Sequence, residues 1–210
     1  MRGATHVTPV DFIHAGPVVA PWLSEKGYLV EKTSGLSRRA ALGAALAIGA
    51  ISASRANAAP ADKLKELGIT LPTLGAALGS YAPFVLDGKM LYISGQLPLV
   101  DGKPTAVGIV PTTVTPEAAN AAARQCAINI IAAVSKACGG DLTKVARCVK
   151  LTGYVAAASD FTAHPAVING ASDLMKAVFG DIGQHARAAV GVASLPLGAP
   201  VEVEAVFALK

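Results

Sequence analysis

The sequence predicts an α+β protein, a mixed β-sheet with two helices packed on one of its faces. Three observations carry this. Strand-like and helix-like segments follow one another in the order β-β-α-β-α-β-β along residues 59–210. Hydrophobic residues make up 52% of the chain and charged residues 15%, a balance that builds a buried core rather than a disordered chain. The last strand alternates, with Val201, Val203 and Ala205 on one face and Glu202 and Glu204 on the other. Aromatics are only 5%, so the core is expected to be Ala, Val, Ile and Leu.

The elements are read in order. "ADKLKELG" (61–68) is a short helix ended by Gly68. "APFVLDGKMLYISGQLPL" (82–99) is a hairpin, two apolar runs around the tight-turn pair Asp87-Gly88. "DGKPTAVGIVPTT" (101–113) reads as a loop. The segment from Thr115 to Gly140 is the clearest helix: Thr115 caps it, Pro116 suits its first turn, Glu117 complements the dipole and Gly139-Gly140 stop it. Its Ala119, Ala123, Cys126, Ile130 and Val134 form one apolar stripe, and Asn120, Arg124 and Lys136 are expected to be wet. Residues 144–157 are rich in β-formers, 167–180 are a second helix, and 187–194 and 201–209 are two further strands. Such a two-layer domain leaves one sheet face open, and with this much Val, Ala and Gly an oligomer is expected to cover it.

Residues 1–58 read as a leader, followed by a short helix and linker (59–73) and the folded domain (74–210). Ser37-Arg38-Arg39 holds a twin arginine, the 14 residues from Ala40 to Ala53 are apolar, and Ala56-Asn57-Ala58 fits a small-x-small cleavage site. A span of about 20 residues is needed to cross a bilayer, so the run is short for a membrane helix; an amphipathic or core helix is the alternative. The layout implies a twin-arginine export signal and a periplasmic destination, with the cytoplasm as the alternative. Residues 1–34 hold Pro9, Pro17 and Pro21 without a periodic pattern, and no function is built on them.

Composition narrows the function. The net charge is +4, but residues 1–58 carry six Lys/Arg against three acids, and the remainder twelve against eleven. The folded part therefore lacks the basic excess that phosphate-tracking surfaces need, and no nucleic-acid partner is expected. Cys126, Cys138 and Cys148 have no CxxC or zinc spacing and read as small apolar residues. On one helix, Cys126 and Cys138 stand about 18 Å apart along the axis, too far to pair. No P-loop, GxGxxG, HExxH or GxSxG run is present, and His6 and His14 fall in the leader. No cofactor or metal is expected, and no membrane association after leader removal.

The chemistry concentrates in "HARAAVGVASLPLG" (185–198). His185 and Arg187 share a strand face. Arg187 in an apolar strand needs a partner: a salt bridge to Glu202 or Glu204 on a neighbouring strand, or the carboxylate of a ligand gripped by the guanidinium fork. Glu202 and Glu204 are either a solvated edge or a cation partner and a water-activating acid–base group. Tyr81, Ser94 and Gly95 sit at a strand end where a small polar ligand could be met, or are ordinary turn residues. Asn169 either caps the second helix or reaches a pocket.

Together, "GSYAPFVLDGKMLYISGQLPL", "HPAVINGASDL" and "GQHARAAVGVASLPLGAPVEVEAVF" resemble the reactive intermediate deaminase (YjgF-type, endoribonuclease L-PSP-like) family, over roughly Leu74 to Leu209. The subgroup with "VINGASDL" and "HARAAVGVASLPLGA" has a poorly established function. The resemblance implies a chorismate-mutase-like fold, a homotrimer with clefts between subunits, and cofactor-free hydrolysis of enamine or imine carboxylates to 2-keto acids and ammonia. In that pattern Arg187 matches the carboxylate-binding arginine and Glu202 the glutamate associated with water. Tyr81, Ser94 and Gly95 match cleft-lining positions, Asn169 a cleft asparagine, and His185 belongs to the subgroup. A cysteine common two residues after the arginine is Ala189 here, which alters the pocket wall. The alternative readings are a non-catalytic trimer binding small carboxylates or proteins and, least favoured by the near-neutral folded part, a ribonuclease.

Overall fold

The computed structural model describes residues 58–74 and 79–210; the export signal read at residues 37–57 lies outside them. The elements are α1 (Pro60–Glu66), β1 (Phe84–Asp87), β2 (Met90–Gln96), β3 (Leu99–Val100), β4 (Lys103–Pro104), α2 (Pro116–Ala137), β5 (Val145–Ala156), α3 (His164–Phe179), β6 (Ala186–Val192) and β7 (Val201–Leu209). Five strands form one sheet in the order β1-β2-β7-β5-β6, and β3 and β4 form a small separate hairpin. Only β5 and β6 run parallel; the other pairs are antiparallel. The fold is α+β with a mixed sheet, as expected.

Strand alternation sorts the sheet into two faces. Leu91, Ile93, Leu151, Val155, Val201, Val203, Ala205 and Phe207 point at α2 and α3 and are buried. The opposite face carries Val85, Tyr92, Thr152, Tyr154, Glu202, Glu204 and Val190, of which Val85, Tyr92 and Val190 are exposed. No described element covers this second face.

Local chemistry sets the helices. The Thr115 Oγ1 accepts from the Ala118 N–H at 3.2 Å, and Gly139 and Gly140 take positive φ (69° and 90°) to end α2. All five stripe residues of α2 are fully buried. The helix buries more than one stripe, because Ala122, Ala127, Ile131 and Ala133 are enclosed as well, between the sheet and α3. The small side chains let the helices approach closely. At the crossing, a Cβ on Gly170 would lie 2.9 Å from the Asn120 carbonyl carbon, and the Asn120 Nδ2 donates to the Ala166 carbonyl at 2.8 Å. Asn120 is thus spent on α3 rather than on water. The other end of α3 packs Phe179 on Phe207, ring centroids 6.0 Å apart.

The differences from the expected layout are local. The segment expected to be a loop contains β4. The second helix begins at His164 rather than 167, since Pro165 sits in its first turn, where its missing N–H costs nothing. The link between β6 and β7 does not make them neighbours, because β5 stands between. All three cysteines are buried free thiols, and burial pushes Cys148 up to about 12.

The Gly170 contact generates a prediction. Ala at a helix interior gains about 1 kcal/mol over Gly, while overpacking against a backbone that cannot rotate away costs about 1–3 kcal/mol. Gly170→Ala should therefore lose stability on balance, read as a lower urea midpoint at an unchanged m-value. A higher midpoint would mean that α2 and α3 separate at no cost.

Candidate functional site

Arg187 leaves β6 on the helix-covered face, level with Leu151 of β5, at the edge of the sheet. Its Nη1 donates to the Asn169 Oδ1 at 2.8 Å and to the Ser172 Oγ at 3.1 Å. Both acceptors stand on α3, three residues apart and so on one helix face. The salt bridge to Glu202 or Glu204 is not formed: those residues lie two strands away on the opposite face, and no described carboxylate pairs with Arg187. A guanidinium has five N–H donors. With Nη1 committed, the Nε–Nη2 edge is left, and that edge is the one that fits a carboxylate two-pronged.

His185 joins the same network. Its Nδ1 lies 2.7 Å from the Gly183 carbonyl and its Nε2 3.0 Å from the Ser172 Oγ. A carbonyl only accepts, so Nδ1 carries a proton, and in the neutral ring Nε2 then accepts from the Ser172 hydroxyl. These residues, with Asp173, Lys176 and Gln184, line a cavity of ≈ 330 Å³. A larger groove of ≈ 490 Å³ between residues 67–72, β3 and α2 holds none of the expected site residues. The smaller cavity is the better candidate, because its polar groups converge there.

Glu202 belongs to a second cluster on the open face. The β2–β7 register breaks between Ile93 and Gln96, and Gly95 lies in that bulge. A Cβ there would stand 2.8 Å from the Glu202 carboxyl carbon, so a side chain at this position would displace the carboxylate from where it lies. Burial, and secondarily the Glu204 charge, hold the Glu202 carboxyl above its ordinary range. Across the β5–β7 register Tyr154 faces Glu202, and Thr152 faces Glu204. Burial and the Glu204 carboxylate push the Tyr154 phenol up as well.

The structure therefore groups the expected site residues in two. Asn169, His185 and Arg187 converge at the β6 edge. Gly95 and Glu202 meet on the other face, with Ser94 beside them in the bulge, where its Oγ donates to the Ala82 carbonyl at 2.6 Å. Tyr81 is half exposed and joins neither group. Within one chain the strand spacing alone separates Arg187 from Glu202 by about 10 Å. Ser172, Tyr154 and Thr152 escaped the sequence reading. Ser172 had a signal, its three-residue spacing from Asn169. Tyr154 and Thr152 had one in the alternation of β5. Among the described residues no three His, Cys, Asp or Glu side chains converge as metal ligands.

The raised Glu202 fixes the sign of a pH effect. A carboxyl held above its unfolded value, about 4.3, binds its proton more tightly when folded. Stability then falls as pH rises through the interval between the two values. Glu202→Gln should raise Tm at pH 7 relative to wild type, and the difference should vanish below about pH 4. An equal or lower Tm at pH 7 would show that the ionised carboxylate is well accommodated.

Comparison with known proteins identifies the family. Residues 61–208 match the family described as "YjgF/chorismate_mutase-like, putative endoribonuclease". Protein TCP17 of Trypanosoma cruzi is 44% identical over 151 residues, covering 71% of this chain and 94% of that protein. The 2-iminobutanoate/2-iminopropanoate deaminase of Capra hircus is 37% identical over 131 residues, 62% of this chain and 81% of the goat protein. Among solved structures, the protein Atu1372 of unknown function from Agrobacterium tumefaciens is 48% identical with a TM-score of 0.68, covering 72% of this chain and 93% of its own. The dominant similarity in sequence and fold runs through the whole sheet and both packed helices, and the chain belongs to the YjgF/chorismate mutase-like family.

Proposed function

We propose that the chain hydrolyses small imine or enamine carboxylates to 2-keto acids and ammonia, in a cleft that a second copy of the chain completes. The observation that carries this is the Arg187 guanidinium, whose Nη1 is tied to Asn169 and Ser172 while its Nε–Nη2 edge is free of any described partner. The name of the goat relative supports the reaction class.

The residues divide the work. The free edge of Arg187 holds the substrate carboxylate, which places the adjacent imine carbon at a fixed distance from the sheet edge. His185 borders the same cavity, Asn169 holds Arg187 in place beside it, and Ser94 and Gly95 shape the approach to Glu202. Glu202, held above the usual carboxylate range, takes a proton from water as its oxygen bonds to the imine carbon, then returns it to the nitrogen. The carbinolamine hydroxyl then gives its own proton, by way of Glu202, to the nitrogen as the C–N bond breaks; ammonia leaves, and the carbon retains the oxygen as a ketone. An enamine enters by first taking a proton on carbon. Because Arg187 and Glu202 stand on opposite faces of one sheet, the complete site takes Glu202 from another copy, and the exposed Val85, Tyr92 and Val190 are the face such copies would cover. A closed ring of three is the arrangement we propose.

The test is keto-acid release from an imine generated in situ by an amino-acid oxidase. Wild type should accelerate release, and Arg187→Ala should lower kcat/KM about 100-fold or more, the loss of a two-pronged charge-assisted contact. If wild type matches buffer while pyruvate still raises its Tm in an Arg187-dependent manner, the protein binds carboxylates without hydrolysing them and the catalytic reading falls.

We further propose that residues 1–58 direct export by the twin-arginine route, on the strength of Arg38-Arg39, the apolar run and Ala56-Asn57-Ala58. N-terminal sequencing of the protein from a periplasmic fraction should begin at Ala59, and Arg38→Lys with Arg39→Lys should retain it in the cytoplasm. Full-length protein confined to the cytoplasm would overturn this.

A further inference from the structure

We propose that Ser172 and His185 form a nucleophile and general-base pair, and that the chain also cleaves small activated esters by way of an acyl-serine. This activity shares Arg187 with the imine reaction but needs neither Glu202 nor a second copy.

The geometry meets the two requirements of such a pair. The Ser172 Oγ lies 3.0 Å from the His185 Nε2, within proton-transfer reach, and the Gly183 carbonyl, 2.7 Å from Nδ1, fixes the tautomer that points a lone pair at the serine. The same carbonyl then steadies the imidazolium that forms when Nε2 takes the proton. A mid-helix serine ordinarily returns its hydrogen to the carbonyl one turn back. Here the hydroxyl is directed across to another element instead, and both residues border an open cavity rather than packed core. Arg187 adds the third part. Its Nη1, 3.1 Å from Oγ, stabilises charge developing on the serine oxygen, and its remaining donors place positive charge beside the tetrahedral oxyanion. Arg187 and Lys176 outnumber the one acid of the lining, Asp173, and the substrate class is therefore an ester whose acyl part is small and anionic.

The step balances. The Ser172 Oγ bonds to the acyl carbon as its proton moves to His185 Nε2; the carbon–oxygen bond to the alcohol breaks, and the alcohol leaves with that proton. Water then gives a proton to Nε2 and bonds to the acyl carbon, and the Ser172 Oγ leaves and takes the proton back. An ester and a water become an acid and an alcohol, with no change in oxidation state.

The experiment treats the purified full chain with a fluorophosphonate probe, followed by intact mass and peptide mapping, with turnover of mono-4-nitrophenyl succinate, whose acyl part is anionic, in parallel. One phosphonyl group is expected on Ser172, none at any site in Ser172→Ala, and turnover lost with labelling. His185→Asn keeps a donor for the Gly183 carbonyl while deleting Nε2, so it is expected to hold its Tm and label about 100-fold more slowly or less. Wild type that stays unlabelled, or labels elsewhere, overturns the proposal, as does His185→Asn labelling Ser172 at the wild-type rate. Labelling without keto-acid release sinks only the imine reading; keto-acid release without labelling sinks only this one.

Discussion

The cavity at Arg187 depends on a single crossover. Parallel strands cannot be joined by a tight turn, so the chain between β5 and β6 must travel back across the sheet, and it does so as α3. That return lays Asn169 and Ser172 over the edge where Arg187 emerges. The distance is set from behind. A Cβ on Gly153 would come within 2.5 Å of the Ile168 side chain, and Gly170 lets α3 touch the backbone of α2. A helix held a methyl group further off would carry both acceptors out of reach of Nη1. Core packing and site geometry are therefore one constraint rather than two.

The same arrangement keeps opposite charges apart. Arg187 and Glu202 would neutralise each other if they shared a face and met. Instead the arginine is held by neutral oxygens and keeps three donors, while the glutamate sits over a glycine bulge beside a second carboxylate that disfavours its charge. The glutamate is left short of the solvation it would have in water, while the exposed arginine keeps its donors open to a ligand. That is the usual relation between stability and a working site, in which groups are withheld from one another so that a ligand can satisfy them.

Much of the fold was legible because the signals are local. Side-chain period separated the helices from the strands, Thr115 and Gly139-Gly140 bracketed α2, and the alternation of β7 named its buried face correctly to the residue. The β3–β4 hairpin was not legible, since two-residue strands carry no period. The site was legible by half. Arg187, Glu202 and Asn169 stood out as polar groups in apolar runs. Asn169 left two readings open, cap or pocket, and its place in the second turn of α3 with Oδ1 on Arg187 decides between them. Ser172 did not stand out, because a serine on a helix is ordinary until its partner is known.

The sequence by itself determined which of the longer elements form, which faces they bury, and that one arginine and one glutamate stand out in apolar strands. Only the tertiary structure decided what those two residues touch. Strand order follows from how distant segments pack, not from any local pattern: β7 lies between β2 and β5, and β6 is pushed to the edge beyond β5. That placement turned Arg187 away from the Val-Glu-Val-Glu strand and onto α3, and set His185 against Ser172.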